Sequence, residues 1–340
     1  MRAVFVGAGA VGARAARQLF SLGPLDDVVV VDVDRDRARA VADSLGPPAR
    51  AADDLATGGV ETGDVVVLSV PHGHAALATA ALAGGAHVVS VADRIGEVTD
   101  LLALDGEARQ RARNLVVGAG FSPGLSCVLA AFASRGFERV EEIHVAKVGT
   151  GGPACARQHH EALAGEAFDW RDGAWDRRRA GSGRELCWFP DPVRGIDCYR
   201  AAVPETTLLL AAFPEAKRIT ARIGANRRDR ITAHLPMLRR PHPAGQLGGV
   251  RVEVRGAQGV ALDDRVLGAV DRPAVAAGTV GAMTARWALD GRLARPGASG
   301  LAALVEPGPF LAALAERGLK VAVFEGSQHG DRAPATAGGS

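Results

Sequence analysis

Lysine is nearly absent from this chain. Its 340 residues hold 40 Lys and Arg together, yet only Lys147, Lys217 and Lys320 are lysine. A lysine in an unusual setting therefore stands out from the start. Net charge is small as well, +2 against 38 acidic residues. That excludes the strong field with which a protein gathers nucleic acid or an anionic membrane. The run Arg227-Arg228-Asp229-Arg230 has no interleaved aromatics, so it reads as a solvated helix face and not a platform for bases. Cys127, Cys155, Cys187 and Cys198 show no C-x-x-C spacing, and no signal peptide precedes the first strand. Reduced thiols and a cytoplasmic location are the expectation. No apolar run approaches the ~18 residues of a membrane span. His160-Glu161 does not open H-E-x-x-H, because residue 164 is alanine, so no metal is expected. Tyrosine is confined to Tyr199, and nothing in its setting marks it as a proton donor.

What is present begins at once. Val4-Phe5-Val6-Gly7-Ala8-Gly9-Ala10-Val11-Gly12 is an apolar strand running into G-x-G-x-x-G, followed by helical rhythm over residues 13–22. Gly7 suits the tight turn, Gly9 lets a phosphate approach the backbone, and Gly12 lets helix and strand pack closely. The free N–H groups of the helix then face the pyrophosphate of a dinucleotide. A continuous apolar strand, residues 28–31, ends at Asp32, 20 residues beyond Gly12. An acid there accepts hydrogen bonds from the adenosine ribose and repels a 2′-phosphate, which favours NAD over NADP. Arg35 and Arg37 stand close enough to soften that preference, so NADP stays possible. Strands at residues 49–52, 64–70, 87–91 and 115–118 alternate with helices at 35–45, 53–58, 75–84 and 101–113. That is the pattern of a doubly wound parallel sheet. Ligands sit beyond the carboxyl ends of such strands. Ser69, Pro71 and His72 after one strand, and Asp93 after the next, therefore join Gly7, Gly9, Ala10, Val11, Gly12 and Asp32 as candidate binding residues. His72 either touches substrate or shapes its turn. Asp93-Arg94 is either functional or a salt bridge that caps a loop.

Gly118-Ala119-Gly120-Phe121-Ser122-Pro123-Gly124-Leu125-Ser126 resembles the G-x-G-[apolar]-x-P-G-L-S segment of the saccharopine dehydrogenase-like family. Leu104-Asp105-Gly106-Glu107-Ala108 is similar to that family's L-D-x-x-A helix start. Gly151-Gly152-Pro153 resembles its G-G-x-P loop, with the proline one position early. The likeness covers the first half well and the second half in outline. It implies an NAD(P)-dependent oxidoreductase that moves hydride between nicotinamide and a C–N bond, as saccharopine reductases, carboxynorspermidine dehydrogenases and lysine 6-dehydrogenases do. The residues themselves say that Pro123 suits a first helical turn and Ser122 its N-cap, so a second helix N-terminus would face the cleft.

The expected architecture is α/β: a Rossmann domain over residues 1–122, and a second α+β domain with a largely antiparallel or mixed sheet over residues 123–272. Residues 273–325 would return as helices and a strand to the first domain, and residues 326–340 form a disordered tail. In the second domain residues 139–148 alternate as a strand that places Lys147 in line with Ile143 and Val145. A partly buried lysine there serves as acid or base, or simply snorkels. His159 and His160, on a helix over residues 155–165, are further proton-transfer candidates or plain surface histidines. Arg184 and Arg200 offer a fork for a substrate carboxylate, with Trp188 lining the pocket; alternatively those aromatics fill a small local core. The expected partners are a small amino or imino acid and, by analogy of sheet edges, a second copy of the chain. Two rivals stay open: a C–O dehydrogenase on the same frame, and a non-catalytic dinucleotide-binding protein.

Overall fold

The computed structural model describes residues 1–237, 241–243 and 245–324. The tail expected at residues 326–340 lies outside the described residues. The first domain runs β1 (Arg2–Val6), α1 (Gly12–Ser21), β2 (Asp27–Val31), α2 (Arg35–Leu45), β3 (Ala49–Ala52), α3 (Leu55–Gly58), β4 (Val65–Leu68), α4 (His74–Ala83), β5 (His87–Ser90), α5 (Ile95–Leu102), α6 (Asp105–Gln110) and β6 (Asn114–Val117). These strands are all parallel, in the order β3-β2-β1-β4-β5-β6. Val28–Val31 and Val65–Leu68 are apolar throughout because helices cover both faces of the sheet. Strand order reverses between β1 and β4, which opens a crevice at their carboxyl ends.

Two local expectations fail here. The single helix expected over residues 101–113 is two helices, α5 and α6. The helix expected to open at Ser122-Pro123 starts later, as α7 (Leu125–Ala133), with Gly124 before it at φ +124°. The chain first closes on itself: the Gly120 amide donates to the Pro123 carbonyl, and the Leu125 amide donates to the Gly120 carbonyl. A Cβ at Gly124 would overlap the Gly120 backbone. Pro123 is thus part of a tight loop and Ser122 is no N-cap.

The second domain holds β7 (Arg139–Val148), α8 (Pro153–Glu161), β8 (Glu166–Arg171), β9 (Ala174–Arg179), β10 (Glu185–Phe189), β11 (Arg194–Arg200), α9 (Glu205–Ala212), β12 (Arg218–Gly224), α10 (Arg227–Thr232), β13 (Gly248–Gln258) and β14 (Ala261–Asp271). The chain ends with α11 (Pro273–Leu289), β15 (Gly297–Ser299), α12 (Leu301–Leu304), α13 (Pro307–Glu316) and β16 (Val321–Phe324). A nine-stranded mixed sheet runs β10-β11-β12-β7-β13-β14-β16, with β8 added to β12 and β9 to β8. β7 and β12 are parallel; the other pairings are antiparallel. Trp170, Trp175 and Trp188 lie on β8, β9 and β10.

The C-terminal segment divides. The Ala- and Gly-rich α11 packs on α1 and on the back of β4 and β5. Close approach requires small residues there: a Cβ at Gly278 would lie 2.7 Å from the Arg14 Cβ. β15, three residues that sequence patterning does not reveal, adds a seventh strand beside β6. The strand expected at residues 320–324 does not return to the first domain. As β16 it pairs with β14, extending the second sheet. Among the described residues no helix is long and apolar enough to cross a membrane.

Candidate active site

A cleft of about 1550 Å³ lies between the carboxyl ends of the parallel strands and the second domain. Its first wall is mostly backbone. Gly7 has φ +100°, and a Cβ on it would sit 2.6 Å from the Ser69 carbonyl oxygen. A Cβ on Gly12 would overlap the Gly7 carbonyl oxygen, whereas one on Gly9 would meet nothing within 4 Å. The glycines therefore divide the work. Gly7 and Gly12 make the turn and the close packing, and Gly9 leaves the open surface that a pyrophosphate needs. The Ala8 amide donates to Asp32 Oδ2 at 2.6 Å and the Asp34 amide to Oδ1 at 2.9 Å. The glycine loop thus aims the carboxylate at the end of β2. The Ser69 hydroxyl donates to the Gly7 carbonyl at 2.8 Å, bracing the same loop. α1 begins with no side-chain cap on its amides, and Arg14 lines the cleft beside it with a guanidinium bound to the Ala10 carbonyl at 2.6 Å. Open space at Gly9, a helix N-terminus and an oriented acid together fit a dinucleotide.

The opposite wall is built of side chains. β7 delivers Lys147, whose side chain is 12% exposed. Its Nζ donates to the Ser122 carbonyl at 2.8 Å and lies 3.6 Å from Glu205 Oε1. The Ser122 hydroxyl donates to the same Oε1 at 2.5 Å, while Oε2 has no partner among the described residues. Asp93 and Cys155 complete the floor, with Asp93 in electrostatic reach of the ammonium. Burial pulls the Lys147 pKa down, but Glu205, Asp93 and Cys155 outweigh it, leaving the pKa raised. Burial raises Asp93 despite the attraction of Lys147. The Cys155 thiol is pushed up to about 11 by burial and by Asp93. His159 is held down at about 4 by burial and by the Lys147 charge, and its Nε2 bonds the Gly224 carbonyl at 2.9 Å. At neutral pH the floor therefore carries an ammonium, a neutral thiol and a neutral imidazole.

Of the residues singled out in the sequence, Gly7, Gly9, Ala10, Val11, Asp32, Ser69, Pro71, His72, Asp93, Ser122, Pro123, Lys147 and His159 line this cleft. Gly12 lies beneath it, under the Gly7 carbonyl. Four others are elsewhere. His160 is buried with Nε2 bonded to the Leu235 carbonyl at 3.0 Å. Arg184 is exposed and paired with Asp197 at 2.9 Å. Trp188 is 58% exposed on the edge strand β10. Arg200 is taken up by Asp169, which also holds the buried Arg222. The β10–β11 hairpin thus puts the expected carboxylate fork at the sheet edge, away from the cleft. Arg94 lines the cleft and pairs with Glu161 of α8 at 2.7 Å. Sequence reasoning missed Glu205, 1% exposed, although it is the sole ionisable residue of α9. It also missed Arg157, exposed on α8 and lining the cleft. Among the described residues no cluster of His, Cys, Asp and Glu is placed to hold a metal.

Residues 3–113 match the family described as Saccharopine dehydrogenase NADP binding domain. The apo saccharopine dehydrogenase (L-Glu forming) from Saccharomyces cerevisiae superposes with a TM-score of 0.69 at 15% identity, over 95% of this chain and 100% of that one. An amine dehydrogenase from Mycobacterium smegmatis gives 0.52 at 12% identity, over 90% of this chain and 96% of that one. The fold is that of a two-domain protein whose N-terminal domain is built to bind a nicotinamide dinucleotide. The family match is confined to the N-terminal domain.

Proposed function

We propose that this enzyme passes hydride between a nicotinamide dinucleotide and the C–N bond of a small amino or imino acid. The observation that carries the reading is the charge balance of the floor. Asp93 on the floor and Glu205 just behind it stand against one ammonium, Lys147, while Cys155 and His159 are neutral. Such a floor suits a protonated amine or iminium and disfavours the alkoxide of a C–O dehydrogenase. The names of the two structural relatives, a saccharopine dehydrogenase and an amine dehydrogenase, support the same chemistry.

The nicotinamide, when bound, supplies or takes the hydride. The chain would hold it through the Gly9 surface, the α1 amides and Asp32, whose carboxylate would favour NAD over NADP. Lys147 stays charged at neutral pH and so accepts no proton there. Asp93, with its raised pKa, is the better group to take a proton from the substrate nitrogen during oxidation and return it during reduction. Arg157 forms no ion pair among the described residues, and we assign it the substrate carboxylate. The test is turnover of matched amino acids and 2-hydroxy acids with NAD and with NADP. Turnover of amino acids with NAD is expected. Turnover of the hydroxy acids alone would overturn the reading.

A further inference from the structure

Glu205 is the first residue of α9 and is almost fully buried. It does not line the cleft. One carboxylate oxygen, Oε1, receives the Ser122 hydroxyl at 2.5 Å and stands 3.6 Å from Lys147 Nζ. The Ser122 carbonyl receives the ammonium itself at 2.8 Å. Glu205 thus grips both the ammonium and the loop that also binds it. A buried carboxylate is costly to hold without such partners, and its second oxygen has none among the described residues. Strands and loops of a packed floor need no acid at this place; an apolar residue would fill α9 as its neighbours Leu208 and Leu209 do.

We propose that Glu205 is a positioning residue: from behind the cleft wall its carboxylate is the buried counter-ion that anchors the Lys147 ammonium at the floor and keeps it a cation. The inference rests on reading that floor as the reaction site. Lys147 then presents fixed donors to the substrate beside Asp93, and Glu205 never touches the reacting atoms. The other groups that face Lys147 are Asp93 from the loop after β5, Cys155 and His159 from α8, and the Ser122 carbonyl. The thiol and imidazole are uncharged at neutral pH. In a Glu205→Gln protein Asp93 remains to oppose the desolvation of the ammonium, joined by Cys155 where its thiol ionises.

The scarcity of lysine makes the test direct. Isotope-labelled lysine gives one ε-methylene NMR signal for each of Lys147, Lys217 and Lys320 in the full chain. In the wild type the Lys147 signal should titrate above the ordinary lysine range. In Glu205→Gln its midpoint should fall by at least about one pH unit, which is about tenfold more free amine at a given pH. Glu205→Asp should lie between the two, and the signals of Lys217 and Lys320 should not move. An unmoved Lys147 midpoint in Glu205→Gln would overturn the proposal. Should the Gln protein not fold, a wild-type midpoint at or below the ordinary lysine value would overturn it equally. No substrate enters this experiment. A null result therefore rejects the role of Glu205 whatever the reaction, and a failure of amino-acid turnover rejects the reaction reading instead.

Discussion

The two walls of the cleft are made by different means. The first is a single local stretch, in which backbone amides and missing side chains shape the surface. The second is assembled from side chains on the loop after β5, the loop before α7, β7, α8 and α9, which meet only in the folded chain. A backbone cradle is written in residue spacing, since glycine is required wherever a Cβ would collide or block. An assembled floor depends on burial and on charges that find one another across long sequence separations. Cofactor binding and reaction chemistry should therefore fail separately when each wall is altered.

The largest expected effect lies within the glycine motif. Gly9→Val should abolish dinucleotide binding, a loss of more than about 100-fold, while the melting temperature stays close to wild type, because its side chain enters open space. Gly12→Val should do the reverse and compromise folding, since its Cβ overlaps the Gly7 carbonyl. Fluorescence titration with NADH and a thermal melt separate the two, and normal binding by Gly9→Val would displace the cradle from this loop. On the other wall, Lys147→Met should lower kcat by about 100-fold with NADH affinity nearly unchanged; unaltered turnover removes Lys147 from the reaction. Next in size, Asp32→Ala should weaken NADH by about tenfold, the worth of one charge-assisted hydrogen bond, and NADPH by less. Equal losses would deny the carboxylate a part in cofactor choice.

The smallest effect is a pH dependence of stability. His159 titrates at about 4 in the fold against an ordinary 6.5. Its lowered pKa gives stability that is present above about pH 6.5 and lost as pH falls through 4. His74, His87 and His144, lowered chiefly by burial, act in the same sense. Asp64, Asp93 and Asp271, raised by burial, act in the opposite one. Urea unfolding midpoints should fall less steeply between those pH values in His159→Gln than in wild type; identical slopes would remove His159 from the balance.

The parallel sheet was legible in the sequence almost strand by strand, because its central strands are valine-rich and apolar and its turns carry glycine. Asp32 was legible because its distance from Gly12 is fixed by one βαβ unit. Lys147 was legible as an oddity, a lysine in the apolar row of a strand. Glu205 was not, because its significance comes from Ser122 and Lys147, which lie 83 and 58 residues away in the chain. The carboxylate fork expected at Arg184 and Arg200 was misplaced for a related reason. Arginines near aromatics resemble a binding site, but Asp197 and Asp169 had already claimed them. β15 was invisible because a three-residue strand with a glycine has no periodicity to read.

The central claim is that one cleft carries the nicotinamide from the glycine loop to the Asp93–Lys147 floor. A crystal structure with NADH bound tests it most directly. The account predicts the pyrophosphate over Gly9 and nicotinamide C4 facing Asp93 and Lys147, with Arg157 free on the substrate side. A nicotinamide ring turned away from that floor, with neither side chain near C4, would contradict it.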